Sequence, residues 1–343
     1  MQYWQYIVRR LLGVLVSLVG LSIIIFAVSR ILPGNPARMA LGPLATDEQV
    51  EAFAADMGID QPVWMQYIQY MQGLLTGDLG MSLETRNQVL DDIIRHLPAT
   101  IELITVAISF TIVLGIGLGI LAAQHKDGHI DNATRMLAFA TVSIPGFFLG
   151  ILFQLIFGWF LGIMPITGRI SREFRDEVTR ETGFMLIDTL LSGSLAAHFD
   201  AWMHILLPAL ALSAAGIGQI MRITRSTMID VQRKDYIEAE RGFGLPNWLV
   251  VYKYTLKNAF VPVLTILGLL YASLLGNAFL IELVFNWPGL AEYGVNAVLS
   301  NDFNAVVGVV MTIGIAFVTV NFVVDLLLGR VDPRIQLERS GLT

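Results

Sequence analysis

The side chains that could do chemistry are few in this sequence. His125 and His129 stand four residues apart with Asp127 between them, a spacing that puts both imidazoles on one helix face and suits a metal ion. No third ligand accompanies them in sequence, and the stretch reads as a solvated loop. His198 and His204 flank the start of an apolar run and read as interfacial. Gly115-x-Gly117-x-Gly119 has the look of a nucleotide fingerprint but lies inside an apolar run, where close helix packing explains it. Neither Gly-x-Ser-x-Gly nor His-Glu-x-x-His occurs, which argues against an intramembrane hydrolase. With no cysteine, disulfides, thiolate metal sites and thiol nucleophiles are excluded. None of the lysines follows a glycine, so the chain lacks the Gly-x-x-x-x-Gly-Lys-Ser/Thr loop that cradles phosphates. No Lys/Arg run exceeds two residues, and nucleic acid is not an expected partner. What remains is polar residues in apolar surroundings. Glu102 and Asp325 lie near the ends of such runs; Gln154, Gln219 and Asn277 lie deeper. Each either lines a pathway or hydrogen-bonds between helices.

The elements that hold these residues are set by composition. Of 343 residues, 55% are hydrophobic and 15% charged, and mean hydropathy is +0.65. The apolar residues fall in long blocks, which indicates bilayer rather than an aqueous core. Six spans are expected, at about 11–29, 99–123, 136–160, 205–221, 259–281 and 305–328. The first is too long for a signal-peptide core and reads as an uncleaved anchor.

Lys and Arg orient the spans. With a cytoplasmic N-terminus, the inner segments 1–10, 124–135, 222–258 and 329–343 hold 14 of the 22 basic residues. The outer segments 30–98, 161–203 and 282–304 hold the rest, against 18 acids. Both termini are therefore placed in the cytoplasm. The segment 30–98 is expected to be a helical extracytoplasmic insert, with amphipathic stretches around Asp47–Met57 and Pro62–Leu75. The aromatics Trp64 and Tyr67 suit a membrane–water interface. Segment 161–203, with Arg169, Arg172, Arg175 and Arg180 among acids, reads as a solvated loop. No repeat, low-complexity tract or linker divides the chain, so residues 1–343 are expected to form one transmembrane domain.

The most informative inner stretch is Asp235-Tyr236-Ile237-Glu238-Ala239-Glu240-Arg241-Gly242-Phe243-Gly244-Leu245-Pro246-Asn247-Trp248. Asp235 is placed to cap a short helix, Gly244 to end it in a left-handed conformation, and Pro246 to stop Leu245 from continuing it. A second helix then leads through Asn258 and Pro262 into the fifth span. Such an elbow can pass a push from a cytoplasmic partner into the bilayer. It can equally be an ordinary positive-inside loop, and the residues alone leave both open.

This stretch resembles the EAA signature of permease subunits of binding-protein-dependent ABC importers: Glu-Ala-Ala, three residues, then Gly. Glu238, Ala239 and Gly244 match, while Glu240 stands where the family usually has a small residue. The resemblance continues along the chain: Arg9-Arg10-Leu11, Leu32-Pro33-Gly34-Asn35-Pro36, Gly77-Asp78-Leu79-Gly80-Met81-Ser82 and Leu97-Pro98-Ala99-Thr100-Ile101-Glu102-Leu103. It runs on through Ser143-Ile144-Pro145, Gly183–Thr189, Arg222-x-x-Arg225-Ser226, Glu282-x-x-Phe285-x-Trp287-Pro288-Gly289-Leu290 and Asp332-Pro333-Arg334. The sequence is thus similar to the dipeptide/oligopeptide/nickel permease family, in its B-type branch and most like the dipeptide permeases.

The resemblance implies an all-α integral inner-membrane protein with the type I ABC importer (MetI-like) fold. Its implied partners are a second permease, two ATP-binding subunits and an extracytoplasmic solute-binding protein, with ATP and Mg held by the partners and no cofactor here. Residues 235–246 become a coupling helix seated on an ATPase. Glu282, Trp287 and Pro288, with Gln154, Gln219 and Asn277, become candidates for the pathway or its gate. Transport would proceed by alternating access. Peptides, nickel, glutathione or oligosaccharides all remain solutes compatible with the sequence. A secondary transporter or channel, which would need no ATPase, is the rival class.

Overall fold

The computed structural model describes residues 3–31, 45–56 and 61–331. The motif pieces at 32–36 and 332–334 lie outside them. Among the described residues the chain is helical, with one isolated bridge between Met81 and Gln88. Helix α1 is Tyr3–Ile31. The outer insert carries α2 (Asp47–Asp56) and α3 (Val63–Thr76). Then come α4 (Val89–Gln124), α5 (His129–Ser143), α6 (Gly146–Phe160), α7 (Met185–Leu191) and α8 (Leu195–Gln232). The chain continues with α9 (Asp235–Gly242), α10 (Asn247–Phe285), α11 (Leu290–Leu299) and α12 (Phe303–Val331).

Among the described residues five helices are long and apolar enough to cross a membrane, and the bent pair α5–α6, taken as one span, makes a sixth. The expected third span is therefore not straight: its halves meet at 104°. The cause is local. Ile144 precedes Pro145 and adopts an extended conformation (φ −93°, ψ 126°), since proline disfavours the helical region for the residue before it. The fourth span also departs from expectation, because α8 runs 38 residues and extends well beyond 205–221 at both ends.

Helix α8 sits at the centre, packed by α4, α5, α6 and α10. Ala107, Ile108, Leu207, Leu212, Ile220, Leu267 and Leu274 fill the shared core. Gly115 and Gly119 let α4 approach α8: a Cβ would stand 2.9 Å from Ile220 and 2.6 Å from Thr224 respectively. The close-packing expectation holds for these two, while the space beside Gly117 is open. Helices α1 and α12 pair on the flank. Arg10 on α1 meets Asp325 on α12 at 2.7 Å, so the inner ends of the first and last spans lie together. Leu12, Leu15, Val16 and Ile24 on α1 are exposed, as a lipid-facing helix requires.

The outer segments fold over the spans. Helix α3 docks on α1: the Tyr67 ring meets Phe26 edge-on at 5.3 Å, and its hydroxyl lies 2.9 Å from Ser22 Oγ. Segment 161–203 is not the solvated loop its charges suggest. Ile170, Val178, Met185, Ala197 and Ala201 form a small core of their own. Two of its acids serve its own backbone: Asp188 accepts from the Thr182 and Gly183 amides, and Asp200 from the Ser171 amide and hydroxyl, while Glu173, Asp176, Glu177 and Glu181 stay exposed. Capping of this kind uses charge inside a fold rather than in water.

Candidate functional site

Two polar constellations stand out, one at each end of the spans. At the inner end, α9 and the start of α10 form the elbow. Lys234 occupies the N-cap position, extended at φ −82° and ψ 142°, without a side-chain cap bond. Asp235 is therefore not the cap but the first helical residue. Its charge, with that of Glu238, still complements the positive helix end. The helix closes as its glycine demands. Gly244 has φ +75°; its amide donates to Arg241 O at 3.0 Å and the Leu245 amide to Glu240 O at 3.4 Å. Pro246, at φ −65°, then opens the next helix.

One side chain fixes the elbow to the membrane part. Ile237 is fully buried, where α9 meets the end of α8 and the Val250–Leu256 turn of α10. That turn is a π-helix. The opposite face is bare: Phe243 is 83% exposed, and Tyr236, Trp248 and Tyr252 are exposed as well. Glu238, Ala239 and Arg241 lie on the exposed side, and Glu240 and Leu245 are half-buried. An apolar, aromatic surface rimmed by charges of both signs suits protein contact better than water.

At the outer end, Glu282 is wholly buried near the end of α10. Thr100 Oγ1 on α4 donates to its Oε1 at 2.6 Å, and the amides of Ala291 and Glu292 donate to its Oε2 at 2.9 and 3.0 Å. Glu282 thus caps α11 from another helix, and Thr100 accepts the Leu290 amide at 2.7 Å. Gly289 is required here because a Cβ would lie 2.4 Å from the carboxyl atoms of Glu282. Asn286 turns the chain at φ 48°, so that Trp287 falls back into the core and donates from Nε1 to Ala99 O at 2.9 Å. Arg169 lies over the Trp287 ring at 5.5 Å and pairs with Glu102 Oε2 at 2.6 Å. Glu102 also accepts the Leu186 amide at 2.7 Å. Burial raises the phenol of Tyr293 on α11 above its ordinary value, keeping it neutral near Asp92 and Asp302.

The two constellations take up some of the expected residues and leave others aside. Glu282 and Trp287 enter the outer knot, with Pro288 in the turn between them. Gln154 ties that knot to α6, donating to Ile166 O at 2.7 Å and Val284 O at 2.8 Å. Asn277 is exposed and donates to Ser273 O one turn back, and Gln219 is half-buried on α8. Thr100, within the Leu97–Leu103 motif piece, and Arg169, one of the outer arginines, are not singled out as site residues by the sequence. A partner for Glu102 was nonetheless to be sought among the four outer arginines, because a carboxylate in an apolar run demands a counter-charge. At the inner end, Arg225 grips the buried Asp131 through two bonds, 2.5 and 2.6 Å.

Comparison with known proteins agrees with this architecture. Residues 115–337 match the binding-protein-dependent transport system inner membrane component family, and residues 3–104 match its N-terminal region. A probable D,D-dipeptide transport system permease protein, DdpB, from Escherichia coli K12 is 39% identical over 98% of this chain and 98% of its own. The dipeptide transport system permease protein DppB of Alkalihalophilus pseudofirmus is 38% identical over 96% and 99%. The glutathione transport system permease protein GsiC of E. coli O6:H1 is 31% identical over 97% and 99%. The inward-facing MetNI methionine ABC transporter shares the fold, with a TM-score of 0.51 at 17% identity, over 70% of this chain and 96% of that one. With an all-α membrane architecture, an inner elbow and relatives spanning nearly its full length, this multi-pass inner-membrane chain belongs to the binding-protein-dependent transport system inner membrane components.

Proposed function

We propose that the chain, with a second permease, forms the pathway of an ATP-driven importer of dipeptides or closely related small peptides. Two ATP-binding subunits would supply the hydrolysis, and an extracytoplasmic binding protein would deliver the solute. The observation that carries this is the elbow. Ile237 is sunk into the membrane part while Tyr236, Phe243 and Trp248 face out, so a partner gripping the outer face moves α10 directly. The names of the dipeptide relatives support the solute class. In this scheme the chain performs no bond chemistry. Its task is to favour one of two conformations when ATP closes the partners, which requires contacts that differ between the states.

The test is uptake set against hydrolysis. Gly244→Val places a β-branched residue at φ +75°, which costs about 1–2 kcal/mol and reshapes the turn. In inside-out vesicles carrying the whole transporter, ATP hydrolysis should persist while dipeptide transport falls at least about tenfold. Wild-type transport by this variant, correctly inserted, would remove the elbow from the mechanism.

A further inference from the structure

A cavity of about 370 Å³ opens between α5 and α8 on their inner halves. Its lining is graded along the membrane normal. Arg135, Arg222 and Arg225 line the cytoplasmic end, and Ala138, Phe139, Val142 and Met221 continue toward the bilayer interior. Arg135, Phe139 and Val142 follow one face of α5, four and then three residues apart. Gly218 lets the two helices meet closely: a Cβ there would stand 2.4 Å from Thr141 Oγ1 and 2.8 Å from Ala138 O.

The three arginines are not equivalent. Arg225 is committed to Asp131. Arg135 and Arg222 are exposed, and neither makes an ion pair or hydrogen bond among the described residues. No carboxylate lines the cavity. Among the described residues Arg222 has no acid against it, and Arg135 feels the Asp131 charge without forming an ion pair with it; beneath an apolar wall the two call for a ligand with an anionic head and a hydrocarbon tail. Phe139 is 65% exposed and Val142 50%, so that wall is open to an acyl chain.

We propose that this cavity binds an anionic phospholipid of the cytoplasmic leaflet. Arg135 and Arg222 hold the phosphate, and Phe139, Val142 and Met221 flank the first part of an acyl chain. Basic pockets between spans on the cytoplasmic side attract such headgroups, and arginine forks match phosphate oxygens. A dipeptide fits less well. Its carboxylate would suit the arginines, but its ammonium would find only Asp131, which is wholly buried and already held by Arg225.

The test uses the assembled transporter, purified in detergent and titrated with phosphatidylglycerol or phosphatidylcholine under native mass spectrometry. Phosphatidylglycerol should be retained at least about tenfold better than phosphatidylcholine. The double variant Arg135→Gln/Arg222→Gln should weaken its retention about 30-fold, as loss of two near-surface charges predicts. Arg135→Lys/Arg222→Lys keeps both charges and should hold the lipid. Both pairs leave Arg225 and Asp131 intact, and unchanged thermal unfolding would show that the fold is kept. Equal retention of the two lipids overturns the proposal, as does full retention by the glutamine pair. Displacement of phosphatidylglycerol by saturating dipeptide also overturns it, and assigns the cavity to the solute pathway.

Discussion

Glu282 shows how one carboxylate can set the geometry of three helices. Its oxygens serve α4 through Thr100 and α11 through two amides, all out of reach of water. Glu282→Ala strands those donors, each at about 1–3 kcal/mol, and should sharply lower the unfolding temperature in detergent. Glu282→Gln keeps an acceptor and should lose much less. The neighbouring Glu102–Arg169 pair gives a second test. Glu102→Ala leaves a buried guanidinium without its ion pair, at about 3–5 kcal/mol. Replacing both partners by leucine should recover much of that, as a thermal unfolding series would show. The sequence marked Glu102 as a charge near the end of an apolar run and, by resemblance, Glu282 as a pathway or gate candidate, but not what they serve. Thr100 and Gly289 sit in motif pieces of the resemblance, but their roles were not readable there, because they depend on contacts about 190 residues away and on a steric limit beside Glu282.

Among the elements, the elbow was the most legible. Gly244 and Pro246 dictate a turn by local backbone sterics alone, and the turn is there. Only the cap shifted, from Asp235 to Lys234. The α5–α6 break was less legible, because hydropathy sums run straight through Ser143-Ile144-Pro145. Segment 161–203 misled for a related reason: Asp188 and Asp200 bond to backbone amides while apolar residues scattered between the charges close a small core. Ile237 supplies the prediction at this scale. Ile237→Asp puts a charge into a fully buried contact and should release α9 from α8 and α10. Protease cleavage near Phe243 should then rise, and dipeptide uptake should fall, while the spans remain inserted.

For the molecule as a whole, the arrangement predicts sidedness. Lys and Arg counts place 161–203 outside and 222–258 inside, and the Arg10–Asp325 pair joins the first and last spans at one end. The native chain has no cysteine, so single replacements report cleanly. Glu173→Cys should react with an impermeant maleimide on intact spheroplasts. Lys126→Cys, exposed in the inner segment 124–135 and away from the elbow, should react only after the membrane is opened. Reversed labelling would invert the topology and remove the elbow from contact with any cytoplasmic ATPase.

The length of α10 has a mechanical consequence. Its 39 residues span about 60 Å at 1.5 Å per residue, from the Pro246 corner to the knot of Glu282 and Trp287. A tilt of about 5° at the inner corner therefore displaces the far end by about 5 Å, close to one helical turn. Because α4, α11 and the Arg169 cap are tied to that far end, they must travel with it as one body. In the proposed mechanism, a small tilt imposed at the elbow is thus expected to reach the outer side as a shift of the whole knot.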